Sequence, residues 1–548
     1  MRAERTPAPS PGAPAARRVV VCAGTGCVAG GAYDVFQAFA AQIRAAGLSV
    51  VTEFRPEPNG HDVRLNPSGC QGFCQMGPLV TLLPEGVLYT RVKVADVAEI
   101  VSRTLLKGEW VERLLYVDPA TRRRCRGPEQ IPFYQRQQRY VLRECGLLDP
   151  GSIQEYVHHG GYAAARKAFR ELTPEQICQE IVRSGLRGRG GAGFPTGTKW
   201  SFLPNNIWPH YVVANADESE PGTFKDREIL EMNPYQFLEG LMIASYAVQS
   251  HDSYIYFRGE FAQIATRFNE RLAELTAQGL LGDKLFGTDY ALRLHAHLGA
   301  GAYICGEETA LIESIEGHRG EPRFKPPFPG VAGLWGKPTV VNNVETFANV
   351  PVILEKGAEW FSSIGAAKYP GTKVFTLTGD VVNKTFFELP TDVTIRDVVF
   401  GMGGGVKDGK KLKAVQIGGT SGGFIPESLL DTQVDFDSMS AIGATLGSGA
   451  VFVMDEDTDL VDVIDRITKF FEHESCGKCA PCREGTKRMH EIVSKVNKGL
   501  ATADDIALSE RLGKVMTRAC LCGLGQAAPA PLLTTLSHFR PEFNAKLG

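Results

Sequence analysis

One stretch decides how this chain is organised around its chemistry: SCGKCAPCREG at residues 475–485. It carries Cys476, Cys479 and Cys482, each separated from the next by two residues. Thiolates at this spacing can bind three irons of a cubane, and a distant cysteine can bind the fourth. ACLCGLG at residues 519–525 offers that distant cysteine. The spacing therefore predicts a [4Fe–4S] cluster in preference to a zinc ion.

The composition indicates a multidomain protein in a reducing compartment. A chain of 548 residues is too long for one core, and its 43% apolar residues can bury three or four domains. Nine of the 13 cysteines fall in three pairs and one triplet, which favours metal binding over a disulfide framework. A net charge of −3 gives no case for nucleic acid or an anionic membrane surface. No apolar run is long enough to span a bilayer, so we expect no membrane insertion. The clustered cysteines indicate a reducing compartment, and we expect a cytoplasmic location.

The amino terminus, residues 1–17, is rich in proline, alanine and arginine, so we expect a disordered leader. It lacks the apolar core of a secretory signal. Arg17 and Arg18 could suggest a twin-arginine export signal, but the apolar run after them is short and ends at a cysteine. Export is therefore the disfavoured alternative.

A second group of four cysteines lies in an expected domain over residues 18–105. A β-branched strand leads through a glycine-broken loop into a helix over residues 33–46 and a second strand. Two loops supply two cysteines each, which suits a [2Fe–2S] cluster because each iron needs two thiolates. A zinc site or two disulfides are the alternatives. The four cysteines are Cys22, Cys27, Cys70 and Cys74.

This amino-terminal segment resembles the thioredoxin-like [2Fe–2S] ferredoxins, in which C-x4-C and a later C-x3-C followed by Gly-Pro recur. GCQGFCQMGP at residues 69–78 matches the second part of that pattern. A thiol–disulfide thioredoxin would instead need a C-x-x-C between a strand and a helix, and this segment has none. We interpret residues 106–180 as a connector of mixed charge with several helices.

A glycine-rich loop, GLRGRGGAGFPTGTKW at residues 185–200, is the next dense signal. Its glycines let the backbone approach a ligand, while Arg189 and Lys199 offer charge to a phosphate. It fits neither the Rossmann nor the Walker pattern cleanly. A linker could be as rich in glycine, but linkers rarely carry Phe194 and Trp200. We therefore interpret the loop as a nucleotide phosphate site.

Polar side chains follow expected strands further along the chain. Asn215 and Asp217, in NADESEPGTFKDRE, lie at the carboxyl end of a strand, where open α/β sheets bind ligands. Carboxylates there would accept hydrogen bonds from ribose or ribityl hydroxyls. Asn342 and Asn343 lie at a second strand-to-helix junction, where amides suit a flavin and helix capping is the alternative. The loop at residues 299–310 repeats the combination of glycines and acids.

Together these motifs resemble the NADH-binding flavoprotein subunit of respiratory complex I and its relatives in NAD-linked hydrogenases and formate dehydrogenases. The likeness covers about residues 135–540. It implies FMN and NAD(H) as cofactors, with the glycine loop, the NADE loop and the Asn-Asn pair around the flavin. It implies, for FMN, Gly188, Arg189, Gly190, Gly191, Lys199, Asn215, Asp217, Glu218, Asn342 and Asn343. It implies, for the nicotinamide nucleotide, Phe194, Phe202, Glu307 and Glu308; Glu220, Tyr303 and Gly306 complete the expected cofactor-binding residues.

The resemblance also implies how the remaining chain is divided. It selects Cys522, directly before Gly-Leu-Gly, as the fourth ligand of the [4Fe–4S] cluster, and leaves Cys520 as the alternative. Residues 181–365 would form a Rossmann-like, non-classical FMN/NAD(H) domain. Residues 366–455 would form a ubiquitin-like β-grasp domain, for which we favour the role of structural spacer. Residues 456–548 would form a helical [4Fe–4S] domain, within a multidomain α/β protein.

The implied function follows from electron counting. Hydride transfer delivers two electrons at once, whereas iron–sulfur clusters accept one each, so a flavin must stand between them. We expect an NAD(H):acceptor oxidoreductase subunit of a hydrogenase or formate dehydrogenase type complex, with hydride transfer by FMN and no catalytic side chain. Expected partners are a small thioredoxin-like [2Fe–2S] subunit and a large iron–sulfur or catalytic subunit. A flavin subunit of an electron-bifurcating complex or of complex I is the alternative. NAD(H) is favoured over NADP(H) because acids near the adenosine ribose would disfavour a 2′-phosphate.

Overall fold

The computed structural model describes residues 17–56 and 62–548. The leader expected over residues 1–17 therefore lies, apart from Arg17, outside the described residues. Within those two ranges no helix is both long enough and apolar enough to cross a membrane.

The first unit is a five-stranded mixed sheet. Its first strand, Arg17–Cys22, lies in the middle, parallel to Asp62–Ser68 and antiparallel to Val80–Leu83. Val19, Val20 and Val21 of this strand are buried, which suits a central strand covered on both faces. The amphipathic helix Ala32–Ala45 packs its apolar face against the same core. The other strands and helices are Ser49–Val51, Val87–Tyr89, Thr25–Ala29 and Val97–Ile100, the last continued by the π-helical turn Val101–Leu105.

The connector packs onto the unit that follows it. Its two longest helices, Ala163–Glu171 and Pro174–Ser184, bury Phe169 and Ile177 in the core of the central sheet. The expected boundary at residue 180 lies inside the second of these helices, so the connector helices and the central unit are continuous. The smaller elements are Tyr116–Val117, Arg124–Cys125, Pro132–Gln135 and Ile153–His158.

The central unit is a four-stranded parallel sheet with helices around it. The strand order is Arg293–Leu298, Asp252–Phe257, Tyr211–Ala216, Thr339–Asn343, so the chain first builds the sheet in one direction and then returns to the other side of Tyr211–Ala216. Helix Pro234–Ala247 is apolar around its circumference and lies in the core. The other helices are Thr196–Ser201, Lys225–Met232, Ala262–Ala277, Glu308–Ile315, Pro329–Ala332, Val344–Lys356 and Ala358–Ser362.

The third unit is a five-stranded sheet in which the first strand, Thr372–Gly379, and the last, Ala450–Asp455, lie parallel in the centre. Antiparallel strands flank this pair on both sides. The helix expected over residues 394–400 is present over residues 395–402, of which Asp397–Met402 are π-helical. The remaining elements are Gly365–Ala366, Tyr369–Pro370, Thr385–Pro390, Leu412–Ile417, Gly423–Pro426 and Phe436–Ala441.

The carboxyl-terminal unit is helical, and its cysteines lie where helices meet. Asp459 and Thr502 cap two of these helices by accepting backbone N–H groups. Cys482 is in the first turn of Ala480–Asn497, and Cys522 directly precedes Gly523–Ala527. The other helices are Leu460–Glu474, Ala503–Ala519 and Ala530–Asn544.

The amino-terminal sheet docks against both the central and the third unit. The hydroxyl of Thr385 donates to the carbonyl of Gly72, and a Cβ at Gly72 would lie 2.8 Å from the carbonyl oxygen of Phe386. A Cβ at Gly69 would lie 2.7 Å from the carbonyl oxygen of Met232. Since neither glycine leaves room for a side chain, the loop that carries Cys70 lies directly on the end of helix Lys225–Met232.

Candidate functional site

A cleft of about 390 Å³ opens at the carboxyl end of the central sheet. Asn343 is the last residue of strand Thr339–Asn343, and its register partner Asn215 is the next-to-last residue of strand Tyr211–Ala216. The strand order reverses between these two strands, which is where open α/β sheets form a ligand crevice. The expected residues that line the cleft are Gly190, Gly191, Asn215, Asp217, Glu218, Glu220, Tyr303, Gly306, Glu307 and Asn343.

The glycine-rich loop forms one wall of the cleft. The backbone N–H of Gly188 donates to the carbonyl of Phe194 at 2.9 Å, which closes the loop on itself. A Cβ at Gly190 would lie 3.0 Å from Cβ of Asn343, and Gly191 has a φ of +137°, which L side chains rarely adopt. The loop therefore presents bare backbone to the cleft, as a close-fitting ligand requires.

Asp217 offers the cleft a free acceptor. Its Oδ2 accepts the hydroxyl of Ser219 at 3.0 Å, whereas its Oδ1 is buried and has no partner among the described residues. Burial raises the pKa of Asp217 to about 7. Asn215 fixes the loop by donating to the carbonyl of Gly306 at 2.8 Å and accepting from the Asp217 N–H at 3.0 Å. A buried acceptor without a donor fits a ligand that brings a hydroxyl or N–H group, as FMN would.

The two glutamates beside Asp217 are already satisfied by the protein. Glu218 accepts the backbone N–H groups of Asp226 at 2.7 Å and Arg227 at 2.8 Å. Glu220 accepts the N–H and the hydroxyl of Ser421 at 2.8 and 2.6 Å. Burial raises the pKa of both groups, and that of Glu218 reaches about 7. These side chains shape the wall of the cleft and leave Asp217 as the acid with an open oxygen.

Arg189 does not line the cleft, contrary to the role expected for its charge. Its side chain is completely buried and donates to the carbonyls of Arg187, Pro370 and Thr372 at 3.1, 2.6 and 3.0 Å. Its guanidinium also lies 4.3 Å from the ring centre of Tyr369. With its donors used in this way, Arg189 ties the glycine loop to the third unit and offers nothing to a phosphate.

Lys199 lies outside the cleft lining, in a charged group beside the cleft. It donates to Glu308 at 2.7 Å and to the carbonyl of Val341 at 2.8 Å. Lys325 donates to both Glu307 and Glu308, at 2.8 and 2.9 Å. Burial opposes ionisation of Glu308, but the two lysines outweigh it and lower its pKa to about 2. Glu308 is therefore ionised throughout the neutral pH range.

The expected aromatic pair lies on the surface near this group. The rings of Phe194 and Phe202 are 47% and 56% exposed, and their centroids are 6.0 Å apart. Large apolar rings this exposed are available to stack on a planar ligand. Asn342 is turned the other way, because its Oδ1 accepts the indole N–H of Trp200 at 2.9 Å. Of the asparagine pair, Asn343 faces the cleft.

Sequence reasoning assigned no role to Lys225, which lines the cleft although it is almost completely buried. Its ammonium group contacts Asp226, Glu345 and Asn343 at 2.7, 3.0 and 3.2 Å. Asn343 in turn donates to Asp226 at 2.7 Å. The signal was present in the motif NADESEPGTFKDRE, but nothing in the spacing indicated that its lysine would be buried at the cleft.

The third unit also contributes residues to the cleft, beyond the role of structural spacer favoured for it from the sequence. Ser421, Thr445, Gly447 and Ser448 line the cleft opposite the glycine loop. The hydroxyl of Ser448 is 2.7 Å from that of Thr223, which joins the two units at the cleft. Small and hydroxylated side chains carry little chemical signature, which is why the sequence did not reveal them.

A second, much smaller cavity lies between the carboxyl-terminal helices. Cys476, Cys479, Cys482 and Cys522 all line it. Four thiols around one enclosed space fit the ligand set of a [4Fe–4S] cubane. Cys520 is buried but does not line the cavity, so the geometry favours Cys522 as the fourth ligand.

The cleft and the cysteine cavity share a wall. Ile304 and Leu524 line both spaces, so these apolar side chains are the partition between them. Leu524 follows Cys522 by two residues, and Ile304 follows Tyr303, which lines the cleft. The two candidate cofactor sites are therefore immediate neighbours.

The amino-terminal cysteines also converge. The thiol of Cys22 interacts with those of Cys27 and Cys70, and these contacts lower its pKa well below the usual value; Cys70 in turn contacts Cys74. A Cβ at Gly24 would lie 2.5 Å from Sγ of Cys70. Four thiols from two loops, with a glycine against them, fit the ligand set of a [2Fe–2S] cluster.

Comparison with known proteins agrees with this arrangement. Residues 181–352 match the Nuo51 FMN-binding domain, and residues 462–546 match the NADH-ubiquinone oxidoreductase-F iron-sulfur binding region. The F 2 subunit of the NADH-quinone oxidoreductase of Rhizobium meliloti is 46% identical over 408 residues, covering 74% of this chain and 97% of the relative. The HndC subunit of the NADP-reducing hydrogenase of Solidesulfovibrio fructosivorans is 45% identical over 411 residues, 75% of this chain and 84% of the relative. A solved NAD⁺-reducing [NiFe]-hydrogenase, in its H2-reduced state, aligns with a TM-score of 0.66 at 30% identity, covering 98% of this chain and 85% of that chain.

The fold, the cleft and the neighbouring cysteine cavity define an NADH-oxidising iron–sulfur flavoprotein subunit of a larger complex. Within that class, the chain belongs to the family of the F subunits of NADH-quinone oxidoreductase, which includes hydrogenase subunits. The resemblance inferred from the sequence motifs is thereby confirmed.

Proposed function

We propose that this chain passes electrons between NAD(H), FMN in the cleft and a [4Fe–4S] cluster on Cys476, Cys479, Cys482 and Cys522. Bound FMN would supply the conversion between a two-electron hydride and single electrons. The observation that carries the proposal is the partition between the two sites, which is formed by Ile304 and Leu524. Its apolar side chains keep water from the path between the cofactors.

The proposed FMN site uses the acceptor and the bare backbone of the cleft. The open Oδ1 of Asp217 would accept a hydrogen bond from the cofactor, and Gly190 and Gly191 would let it approach the backbone. Asn215 and Asn343 hold the two strand ends in place through Gly306 and the ion pair of Lys225. Their proposed role is to fix the positions of the two strand ends beside the cofactor.

NAD(H) is the proposed nucleotide, bound beside the cleft. The exposed rings of Phe194 and Phe202 would stack on a planar base, and Glu307 and Glu308 would accept hydrogen bonds from ribose hydroxyls. Carboxylates beside the ribose would disfavour a 2′-phosphate, and Lys199 and Lys325 offset part of their charge. A comparison of NADH with NADPH as reductant tests this preference directly, and it is informative because one relative is named NADP-reducing.

We also propose the domain composition. Support for a thioredoxin-like first domain is its central strand, which is parallel to one neighbour and antiparallel to the other, and a helix after it. Support for a β-grasp third domain is its parallel central pair flanked by antiparallel strands. The first domain would hold a [2Fe–2S] cluster on Cys22, Cys27, Cys70 and Cys74.

The proposed [2Fe–2S] cluster would form a branch from the same flavin. Helix Lys225–Met232 begins at the cleft, where Lys225 and Asp226 line it, and ends against the loop of Cys70. Eight residues of helix span roughly 12 Å, so the two sites are close. Two exits from one flavin favour, as a second candidate, the flavin subunit of an electron-bifurcating complex that couples NAD(H) and ferredoxin.

The proposed setting is a cytoplasmic complex of hydrogenase or formate dehydrogenase type, with respiratory complex I as the alternative. Partners would be a large iron–sulfur or catalytic subunit and a small thioredoxin-like [2Fe–2S] subunit. Purification of the intact complex and identification of its other subunits test this part of the proposal.

Reduction by NADH under anaerobic conditions tests the central proposal. The purified chain, reconstituted with FMN, iron and sulfide, should lose its flavin absorbance at about 450 nm when NADH is added. Electron paramagnetic resonance should then detect a reduced [4Fe–4S] cluster. A chain that holds FMN but is not bleached by NADH would contradict the proposal. A requirement for ferredoxin before both clusters are reduced would favour the bifurcating candidate.

A further inference from the structure

Two side chains that are not proposed ligands approach the sulfur of Cys482. The hydroxyl oxygen of Ser475 lies 3.2 Å from Sγ of Cys482. The thiol of Cys520, which does not line the cluster cavity, contacts the same sulfur. Cys482 is itself buried in the first turn of helix Ala480–Asn497. One proposed ligand therefore has two potential hydrogen-bond donors behind it.

The surroundings of Ser475 determine which way its hydroxyl points. The backbone N–H of Gly477 donates to Oγ of Ser475 at 3.4 Å, so one lone pair of the hydroxyl is used. The hydroxyl proton remains available for another acceptor. A thiolate bound to iron has no proton and can only accept. With a cluster bound, the O–H of Ser475 would therefore be the donor to the sulfur of Cys482.

Cys520 is held against Cys482 by its packing. A Cβ at Gly525 would lie 2.7 Å from Sγ of Cys520 and 3.0 Å from Cβ of Cys482, so the three residues are in close contact. A Cys482 that binds iron carries no proton, so any hydrogen bond between the two sulfurs would be donated by the thiol of Cys520. Its S–H is a weaker donor than the hydroxyl of Ser475.

We propose that Ser475 and Cys520 are positioning residues that raise the reduction potential of the [4Fe–4S] cluster by donating hydrogen bonds to the sulfur of Cys482. The inference rests on the proposed cluster ligands. Donors beside a ligand sulfur stabilise the reduced cluster more than the oxidised one, because the reduced cluster carries one more negative charge. The cluster would thus accept electrons from the flavin more readily.

Potentiometric titration of the full-length, cluster-loaded chain, followed by electron paramagnetic resonance, tests the inference. Ser475→Ala should lower the ratio of reduced to oxidised cluster at a fixed potential about tenfold, which is about 59 mV for a one-electron couple. Cys520→Ala should lower it by a smaller factor. Ser475→Thr, which keeps the hydroxyl, should restore the potential, and Cys520→Ser, a stronger donor, should raise it above that of the unmodified chain.

A matched control removes a hydroxyl from helix Ala480–Asn497, which carries Cys482, without changing a contact to the sulfur of Cys482. Thr486 donates to the carbonyl of Cys482 at 2.8 Å, and Thr486→Val should leave the potential unchanged. An unchanged potential in Ser475→Ala, Cys520→Ala and Cys520→Ser would overturn the inference, as would loss of the cluster from Cys520→Ala. If Ser475→Ala lost its cluster, the potential of Cys520→Ser would decide, and a potential that is not raised would overturn the inference. Absence of a [4Fe–4S] signal from the unmodified chain would instead contradict the proposed function.

Discussion

Asn215 and Asn343 are register partners at the ends of two neighbouring parallel strands, and each is fixed by a different part of the protein. Asn215 donates to the carbonyl of Gly306, whereas Asn343 donates to Asp226 and accepts from Lys225. Both contacts hold the strand ends at the point where the strand order reverses. The cleft thus lies where the strand order reverses, and polar contacts fix the two strand ends beside it.

Asp217→Ala should weaken FMN binding without unfolding the chain. The buried Oδ1 of Asp217 has no donor among the described residues, so its hydrogen bond is available to the cofactor. Losing a hydrogen bond to a charged acceptor costs about 2 kcal/mol, which raises the Kd of FMN about thirtyfold. Quenching of flavin fluorescence measures this Kd. Asp437→Ala, at an exposed pair with Lys368, is the matched control, and equal affinities would contradict the assignment.

The same carboxyl group should make stability depend on pH in the FMN-free chain. Burial raises the pKa of Asp217 from 3.8 to about 7, so the folded state keeps a proton that the unfolded state has lost. The contribution of Asp217 to the free energy of unfolding is therefore greatest below about pH 4, decreases as the pH rises, and becomes constant above about pH 7. The advantage in Tm of Asp217→Asn over the unmodified chain should grow from pH 5 to 7 and then stay constant. A constant difference across this range would show that Asp217 ionises normally.

Cys522→Ala should remove the [4Fe–4S] cluster, because Cys522 lines the cavity with the three cysteines of the triplet. Protein-bound iron should fall by about four atoms per chain. Cys520→Ala should keep that iron. Cys178→Ala, a thiol that contacts the carbonyl of Ala247 far along the chain, controls for loss of an unrelated cysteine. Retention of the cluster in Cys522→Ala would assign the fourth ligand elsewhere.

Gly24→Ala should abolish the [2Fe–2S] signal by steric conflict alone. Its Cβ would lie 2.5 Å from Sγ of Cys70, closer than any real contact allows. Gly26→Ala is the control in the same loop, since its Cβ would lie 3.4 Å from Cβ of Cys74. Electron paramagnetic resonance of the dithionite-reduced chains distinguishes the two variants. A [2Fe–2S] signal in both would mean that the cysteine loops rearrange when the cluster binds.

Phe202→Ala should raise the KM for NADH while FMN content stays unchanged. Phe202 is more than half exposed beside Phe194 and does not line the cleft. Loss of an aromatic stacking contact costs about 1 kcal/mol, or about fivefold in KM. Phe400→Ala, an exposed phenylalanine of the third unit, provides the control. If Phe202→Ala lost FMN instead, the ring would belong to the flavin site.

Cysteine spacing and local motifs carried most of the prediction. The triplet at Cys476 to Cys482 needs only its spacing to indicate a cubane, and the polar ends of two strands indicated a ligand at the edge of a sheet. The phosphate-binding role expected for Arg189 could not be checked from the sequence. The sequence of a glycine loop is the same whether its arginine contacts a phosphate or backbone carbonyls. The burial of Arg189 and its bonds to Pro370 and Thr372 depend on the third unit, about 180 residues away.

The sequence by itself therefore determined the family, the two groups of cysteines and the strands that carry the cleft, since these depend on spacing over short segments. The tertiary structure decided which of those residues meet. It distinguished Cys522, which lines the cysteine cavity, from Cys520, which does not. It also brought Lys225 and Ser448 into one cleft. It also set Ile304 and Leu524 as the partition between the two sites, because contacts between distant segments arise only when the helices and sheets pack.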